Sequence, residues 1–146
     1  MWKKVLNTES DVALTLLRLT LGLVIFPHGA QKALGWFGGF GFDGTMGFLT
    51  GQVGLPMVIA FLVILIEFAG SLALIAGFMS RVAALGIGVV IGSAAYVAHL
   101  GNGFFMNWMG NQKGEGFEYH LLVVGMALAL VIKGGGAFSV DRKLSQ

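Results

Sequence analysis

Residues 12–30 read VALTLLRLTLGLVIFPHGA and residues 56–78 read PMVIAFLVILIEFAGSLALIAGF. Each run is close to the ~20 apolar residues that a ~30 Å hydrocarbon core requires. Each also carries one formal charge well inside it, Arg18 in the first and Glu67 in the second. An ionisable group near a bilayer centre costs roughly 3 kcal/mol on insertion scales, so it is kept for a reason and usually faces a partner. One cation and one anion on adjacent segments at similar depth suggest a buried Arg18–Glu67 pair. A third run from about Val82 to Leu100 and a fourth from about Phe117 to Lys133 complete the pattern. The expected fold is an all-α integral membrane protein, a single four-helix transmembrane bundle over residues 1–146.

Composition agrees. Of 146 residues, 56% are hydrophobic and 11% charged, against about 25% charged in a soluble domain. The net charge is only +2 and the basic residues are scattered, so nothing points to nucleic acid. The absence of cysteine excludes thiol chemistry, disulfides and thiolate-bound metal from the chain itself. Lys3 and Lys4 precede an apolar run as in a secretory signal, but Arg18 and the lack of a small-residue cleavage site argue against one. Asp11 and Ser10 are positioned as N-caps of the first helix. With four spans, Lys3, Lys4, Arg81, Lys133, Arg142 and Lys143 fall on one side, and Lys32 and Lys113 on the other. That bias predicts both termini in the cytoplasm.

The two longer loops, about Gln31–Leu55 and Gly101–Gly116, then face outward. They are rich in Gly and aromatic residues, among them Trp36, Phe37, Phe40, Phe42, Phe48, Phe104, Phe105 and Trp108. Aromatic rings favour the headgroup level. The same rings could instead close a pocket open to lipid, since small-molecule sites are mostly apolar with a few polar groups. Asp43 is placed to cap a short helix through about Gly51. Gly88 and Gly92, with Gly70, Ser71 and Gly77, predict close helix approach, and Gly134–Gly136 terminates the last span.

Two polar groupings carry the chemistry. Arg18–Glu67 is either a helix clamp or a polar floor beneath a site with Glu67 as proton carrier; a neutral Glu67 bonded to backbone is the third alternative. The second grouping is at the outer ends. His28 and Lys32 share a helix face if the first helix continues past Pro27. His99 closes the third helix, and Glu118, Tyr119 and His120 open the fourth, so all three histidines lie at one level. Histidine titrates near neutral pH, which suits proton exchange with a redox molecule. Haem ligation by two of them is open, because histidine is a common axial ligand, although no spacing signature supports it.

The order of RLTLGLVIFPHGAQKALGWFGG, EFAGSLALIAGFMSRVAAL, HLGNGFF, FEYHLLV and GGGAFSVD resembles the DoxX family of small membrane proteins along essentially the whole chain. Ser71, where glycine is common, is a minor departure. The resemblance implies a four-helix bundle in the bacterial cytoplasmic (inner) membrane, linked to quinone-coupled oxidation or to assemblies with thiol-handling partners. It implies Arg18, His28, Lys32, Glu67, His99 and Glu118 as the polar positions of the family. Two functions are carried forward. One is a redox-linked subunit that binds a quinone or similar lipophilic molecule, with Arg18, His28, Lys32, His99, Glu118 and His120 as binding residues and Glu67 and His99 as proton carriers. Lacking its own electron carrier, it would act with an oxidoreductase partner. The other is an oligomeric carrier of a small metabolite, without redox chemistry.

Overall fold

The computed structural model describes residues 6–146, and every described element is helical. Lys3 and Lys4 of the charge count lie outside the described residues. Four main helices form the bundle: α1 (Val12–Leu34), α3 (Met57–Ala76), α4 (Ser80–Ala94) and α5 (Glu118–Lys133). A short α2 (Gly41–Gly47) lies in the first loop and α6 (Val140–Ser145) ends the chain. A wide π turn and a tight 3₁₀ turn prolong α4 to Asn102. In space α1 packs on α3, α3 on α4, α4 on α5, and α5 back on α1. The core between them is Leu21, Ile25, Leu74, Ala84, Ile87, Ile91, Val123, Ala127 and Leu130.

The local sequence accounts for the helix limits. The Asp11 carboxylate accepts from Ala13 N–H at 2.7 Å and starts α1, satisfying one of the free donors of the first turn. The helix then runs through Pro27 and stops four residues later than the sequence suggests, at left-handed Gly35. Membrane helices tolerate an internal proline because neighbours satisfy the freed carbonyl. Asp43 does not cap α2; it sits inside its first turn, and the N-cap position is Phe40.

Three helices are long and apolar enough to cross a membrane: Val12–Leu34, Met57–Ala76 and Ser80–Asn102. The fourth, α5, has 16 residues, or ~24 Å at 1.5 Å per residue. That falls short of the ~30 Å core.

Charged side chains knit the end of the bundle where α1 begins and α6 lies, and here the structure corrects the expected pair. Arg18, 1% exposed, does not meet Glu67. Its guanidinium donates to the backbone carbonyls of Ile75, Gly135 and Phe138, each at 2.8 Å, and to that of Leu74. It thereby caps the C-terminus of α3 and holds the chain that follows α5. Arg81 does the same for α5, donating to the carbonyls of Val131 and Ile132 and, at 3.0 Å, to that of Asn7. Asp141, 1% exposed, accepts from Met79 and Ser80 N–H at 2.6 and 2.8 Å and so caps α4. Cations at helix C-termini and an anion at an N-terminus are the favourable signs for the helix dipoles. Gly134–Gly136 ends α5 as expected, and its residues also take part in this knot: Gly136 N–H donates to Thr8 Oγ1 at 2.7 Å.

Register explains why Arg18 and Glu67 miss each other. A Cβ on Gly29 would stand 2.6 Å from the Glu67 backbone, and one on Gly22 would stand 2.9 Å from Ile75. These two glycines seat α1 directly against α3, with Gly29 at the level of Glu67. Arg18 is then about eleven residues away along α1, or ~16 Å, beyond the reach of its side chain.

Candidate functional site

The partner of Glu67 is Lys32. Gly29 brings the two helices into contact, and Lys32 stands one turn further along α1, so its side chain reaches Glu67. The Nζ–Oε2 distance is 2.7 Å, with the Glu67 side chain 4% exposed and that of Lys32 29%. A carboxylate this buried is stable only when paired and hydrogen-bonded, and Lys32 supplies that partner. His28 and Tyr119 both lie close enough to Glu67 for its charge to act on them. The His28 and Tyr119 rings are 6.1 Å apart between centroids. Tyr119 in turn meets His120 edge-on at 5.3 Å.

His99 and His120 form a tilted stack, with centroids 4.1 Å apart and planes at 41°. Two imidazolium charges at that separation would repel by about 4 kcal/mol at an effective dielectric of ~20, so a doubly charged stack is disfavoured. It does not accommodate a metal between the rings. A haem iron or other ion would need bonds of ~2 Å to a nitrogen on each side, which moves the centroids well beyond the observed spacing. Among the described residues, no group of three or more His, Cys, Asp or Glu side chains is arranged around a metal position.

The remaining expected binding residues lie elsewhere. Arg18 is at the opposite end of the bundle, wholly engaged with backbone. Glu118 faces the second loop, where its Oε1 accepts from Met106 N–H at 2.8 Å. Glu115 accepts from Asn107 N–H at 2.6 Å, and the Glu115 carbonyl takes hydrogen bonds from His99 Nδ1 at 2.9 Å and Asn102 at 3.0 Å. Glu118 is therefore a loop anchor, and His99 ties that loop to α4. The aromatic side chains of both loops are exposed, Trp108 most of all at 85%, as rings seated among lipid headgroups would be.

Sequence reasoning did not select Tyr119 as a site residue. Three buried side-chain polar atoms among the described residues lack a hydrogen-bond partner: Ser80 Oγ, Tyr119 Oη and His120 Nδ1. Two of the three are in this cluster. Leaving such a group unsatisfied costs roughly 1–3 kcal/mol, and a native protein rarely leaves one without a reason. The only signal in the sequence was the position of Tyr119 between Glu118 and His120. The concavity between α4 and α5, about 210 Å³ and lined by Ala84, Gly88, Ala127 and Val131 among others, is apolar and on another flank. It contributes no ionisable group.

Residues 13–100 match the family model DoxX. The chain is 31% identical to "Inner membrane protein YqjF" of Escherichia coli (strain K12), over 93% of this chain and 95% of that protein. It is 29% identical to "Putative oxidoreductase CatD" of Bacillus subtilis (strain 168), over 86% of this chain and 83% of that protein. No solved structure matches.

Proposed function

The chain belongs to the DoxX family, and on that premise we propose that it is the membrane subunit of a redox-linked assembly, holding a quinone or similar lipophilic carbonyl compound at the Lys32–Glu67 cluster. It is a multi-pass protein of the bacterial inner membrane. The name of the Bacillus relative supports an oxidoreductase setting.

One observation carries the ligand reading. The Tyr119 hydroxyl and His120 Nδ1 are buried without partners among the described residues, in the same cluster as the Lys32–Glu67 pair. A ring carbonyl oxygen accepts hydrogen bonds, so Tyr119 Oη–H and the Lys32 ammonium are suited to hold one, while the apolar helix faces take the rest of the molecule. The bond to Glu67 keeps the Lys32 side chain turned inward. The His28 ring beside Tyr119 completes the polar wall. When bound, a quinone would supply the two-electron chemistry that a chain without cysteine lacks. The electrons would come through a partner protein.

Solvent extraction of the detergent-purified protein, with quinone quantified by absorbance, tests this reading. Enrichment well above that in an unrelated membrane protein purified alongside is the expected result. Quinone at the control level would count against it and favour the alternative, an oligomeric metabolite carrier. That alternative draws on the apolar concavity between α4 and α5, lined by Leu85, Val89, Val124 and Leu128 among others.

The same reading makes α5 a fourth span. Its ends are fastened to both ends of the prolonged α4, by Arg81 at one end and the His99–His120 stack at the other. Short connecting segments then make up the missing length, as mismatch is commonly accommodated. On this reading both termini face the cytoplasm, since among the described residues Arg81, Lys133, Arg142 and Lys143 fall at one end, against Lys32 and Lys113 at the other, and the more basic side is the inner one. Single cysteines introduced into this cysteine-free chain at Gln52 and Asn111 should react with an impermeant reagent added outside, and one at Ser145 should not. The reverse pattern would invert the topology.

A further inference from the structure

We propose that the stacked His99–His120 pair is the proton donor of the ligand site, loading one proton from the aqueous edge when the bound molecule turns anionic and passing it to an oxygen of that molecule. This rests on the ligand reading above and deepens it.

The pair bridges two environments. His99 is half-buried and bound to a loop whose Glu115 is exposed, whereas His120 is 6% exposed and adjoins Tyr119 in the cluster. A backbone carbonyl only accepts, so the bond from His99 to the Glu115 carbonyl keeps a hydrogen on Nδ1 and leaves Nε2 as the nitrogen that gains or loses a proton. His120 Nδ1 has no partner among the described residues and is free to take one. Contact between the rings limits the pair to a single charge.

The surrounding charges indicate when that proton arrives. From α1 the cluster is faced by His28 and Lys32, from α3 by Glu67, from α5 by Glu118 and Tyr119, and from the loop by Glu115. Glu67 is engaged by Lys32, Glu118 by Met106 N–H and Glu115 by Asn107 N–H. Among the described residues no carboxylate is left over to hold a cation on the stack, and His28 lies close enough to oppose one. With no anion bound, the surroundings do not favour a charged stack. An anion in the site is the opposite charge that favours its protonated form.

In the transfer an imidazolium N–H bond breaks and an O–H bond forms on the ligand, after which the pair reloads from outer water. For a quinone the pair loads and delivers twice, one proton for each ring oxygen. The two electrons are supplied by a dithiol or dihydroflavin on the partner protein.

Proton uptake on binding tests this without any redox turnover. Calorimetric titrations of the purified protein at about pH 7.5, in buffers of different ionisation enthalpy, give the protons taken up per ligand bound. The probes are 2-hydroxy-1,4-naphthoquinone, an anion at that pH, and neutral 1,4-naphthoquinone. The wild type should take up about one proton per anion bound and almost none with the neutral ring. His120→Asn places an amide near the Nδ1 position but cannot be protonated, and should lose the uptake; His99→Gln, at the exposed edge, should lose most of it. Because the count is per ligand bound, a change in affinity does not disturb it. Uptake that persists in both variants, or is absent in the wild type despite binding, overturns the proton-donor role alone. If neither ring binds the wild type, the ligand reading falls and takes this inference with it.

Discussion

Arg18→Ala is expected to leave no folded bundle at growth temperature, and Arg18→Lys to rescue little of it. The guanidinium satisfies four carbonyls, two at the end of α3 and two in the chain after α5, while itself lying 1% exposed. A hydrogen bond from a charged donor contributes roughly 1.5–3 kcal/mol, and a buried carbonyl stripped of its donor costs a further 1–3. Loss of even half the set amounts to ~4 kcal/mol or more, a large part of the stability of an ordinary domain. Lysine keeps the charge but not the planar fork that reaches two segments at once. Thermal melting in detergent gives the answer. An Arg18→Lys protein melting within a few degrees of wild type would show that the fork is dispensable.

The second large effect belongs to Lys32 and Glu67. Lys32→Met leaves the buried carboxylate unpaired, a change that typically costs 3–5 kcal/mol, reduced to the extent that Glu67 takes up a proton instead. Glu67→Leu strands the less buried lysine and costs less. The double substitution Lys32→Met/Glu67→Leu should recover much of the loss, because replacing a buried pair with apolar groups of similar volume is often close to neutral. Pairing Glu67→Leu with Arg18→Gln should instead give additive losses, since those side chains share no contact. The two cycles together decide which cation serves Glu67. Additivity in the first, within ~0.5 kcal/mol, would remove the ion pair.

The contrast between Arg18 and Lys32 marks what the sequence makes legible. The first three spans, the Asp11 cap and the helix passing through Pro27 all follow from patterns local to one segment. The partner of a buried arginine does not, because every residue offers a carbonyl and Arg18 uses four of them. Helix register was hidden for a related reason. Gly22 and Gly29 set the depth of Glu67 against α1, yet among 24 glycines nothing in the chain marks these two as the ones that seat α1 on α3. The sequence leaves the loop aromatics open between a headgroup belt and a pocket lid, because both place rings in the same Gly-rich loops. A carboxylate that opens a helix, such as Glu118, can serve a ligand or a neighbouring loop, and only the structure shows its Oε1 accepting from Met106 N–H. Tyr119 became a site residue only through its unpartnered hydroxyl, which no sequence pattern reports.

That hydroxyl provides the most direct test of the ligand site. Tyr119→Phe removes one oxygen that has no partner among the described residues of the ligand-free protein. Its melting temperature should therefore hold or rise, as relieving an unsatisfied buried group is worth roughly 1 kcal/mol. Its affinity for 1,4-naphthoquinone, measured by calorimetry beside the wild type, should fall about tenfold, the equivalent of ~1.4 kcal/mol. Unchanged affinity together with a lowered melting temperature would mean that the hydroxyl serves the fold, and that the Lys32–Glu67 cluster is not where this protein binds its ligand.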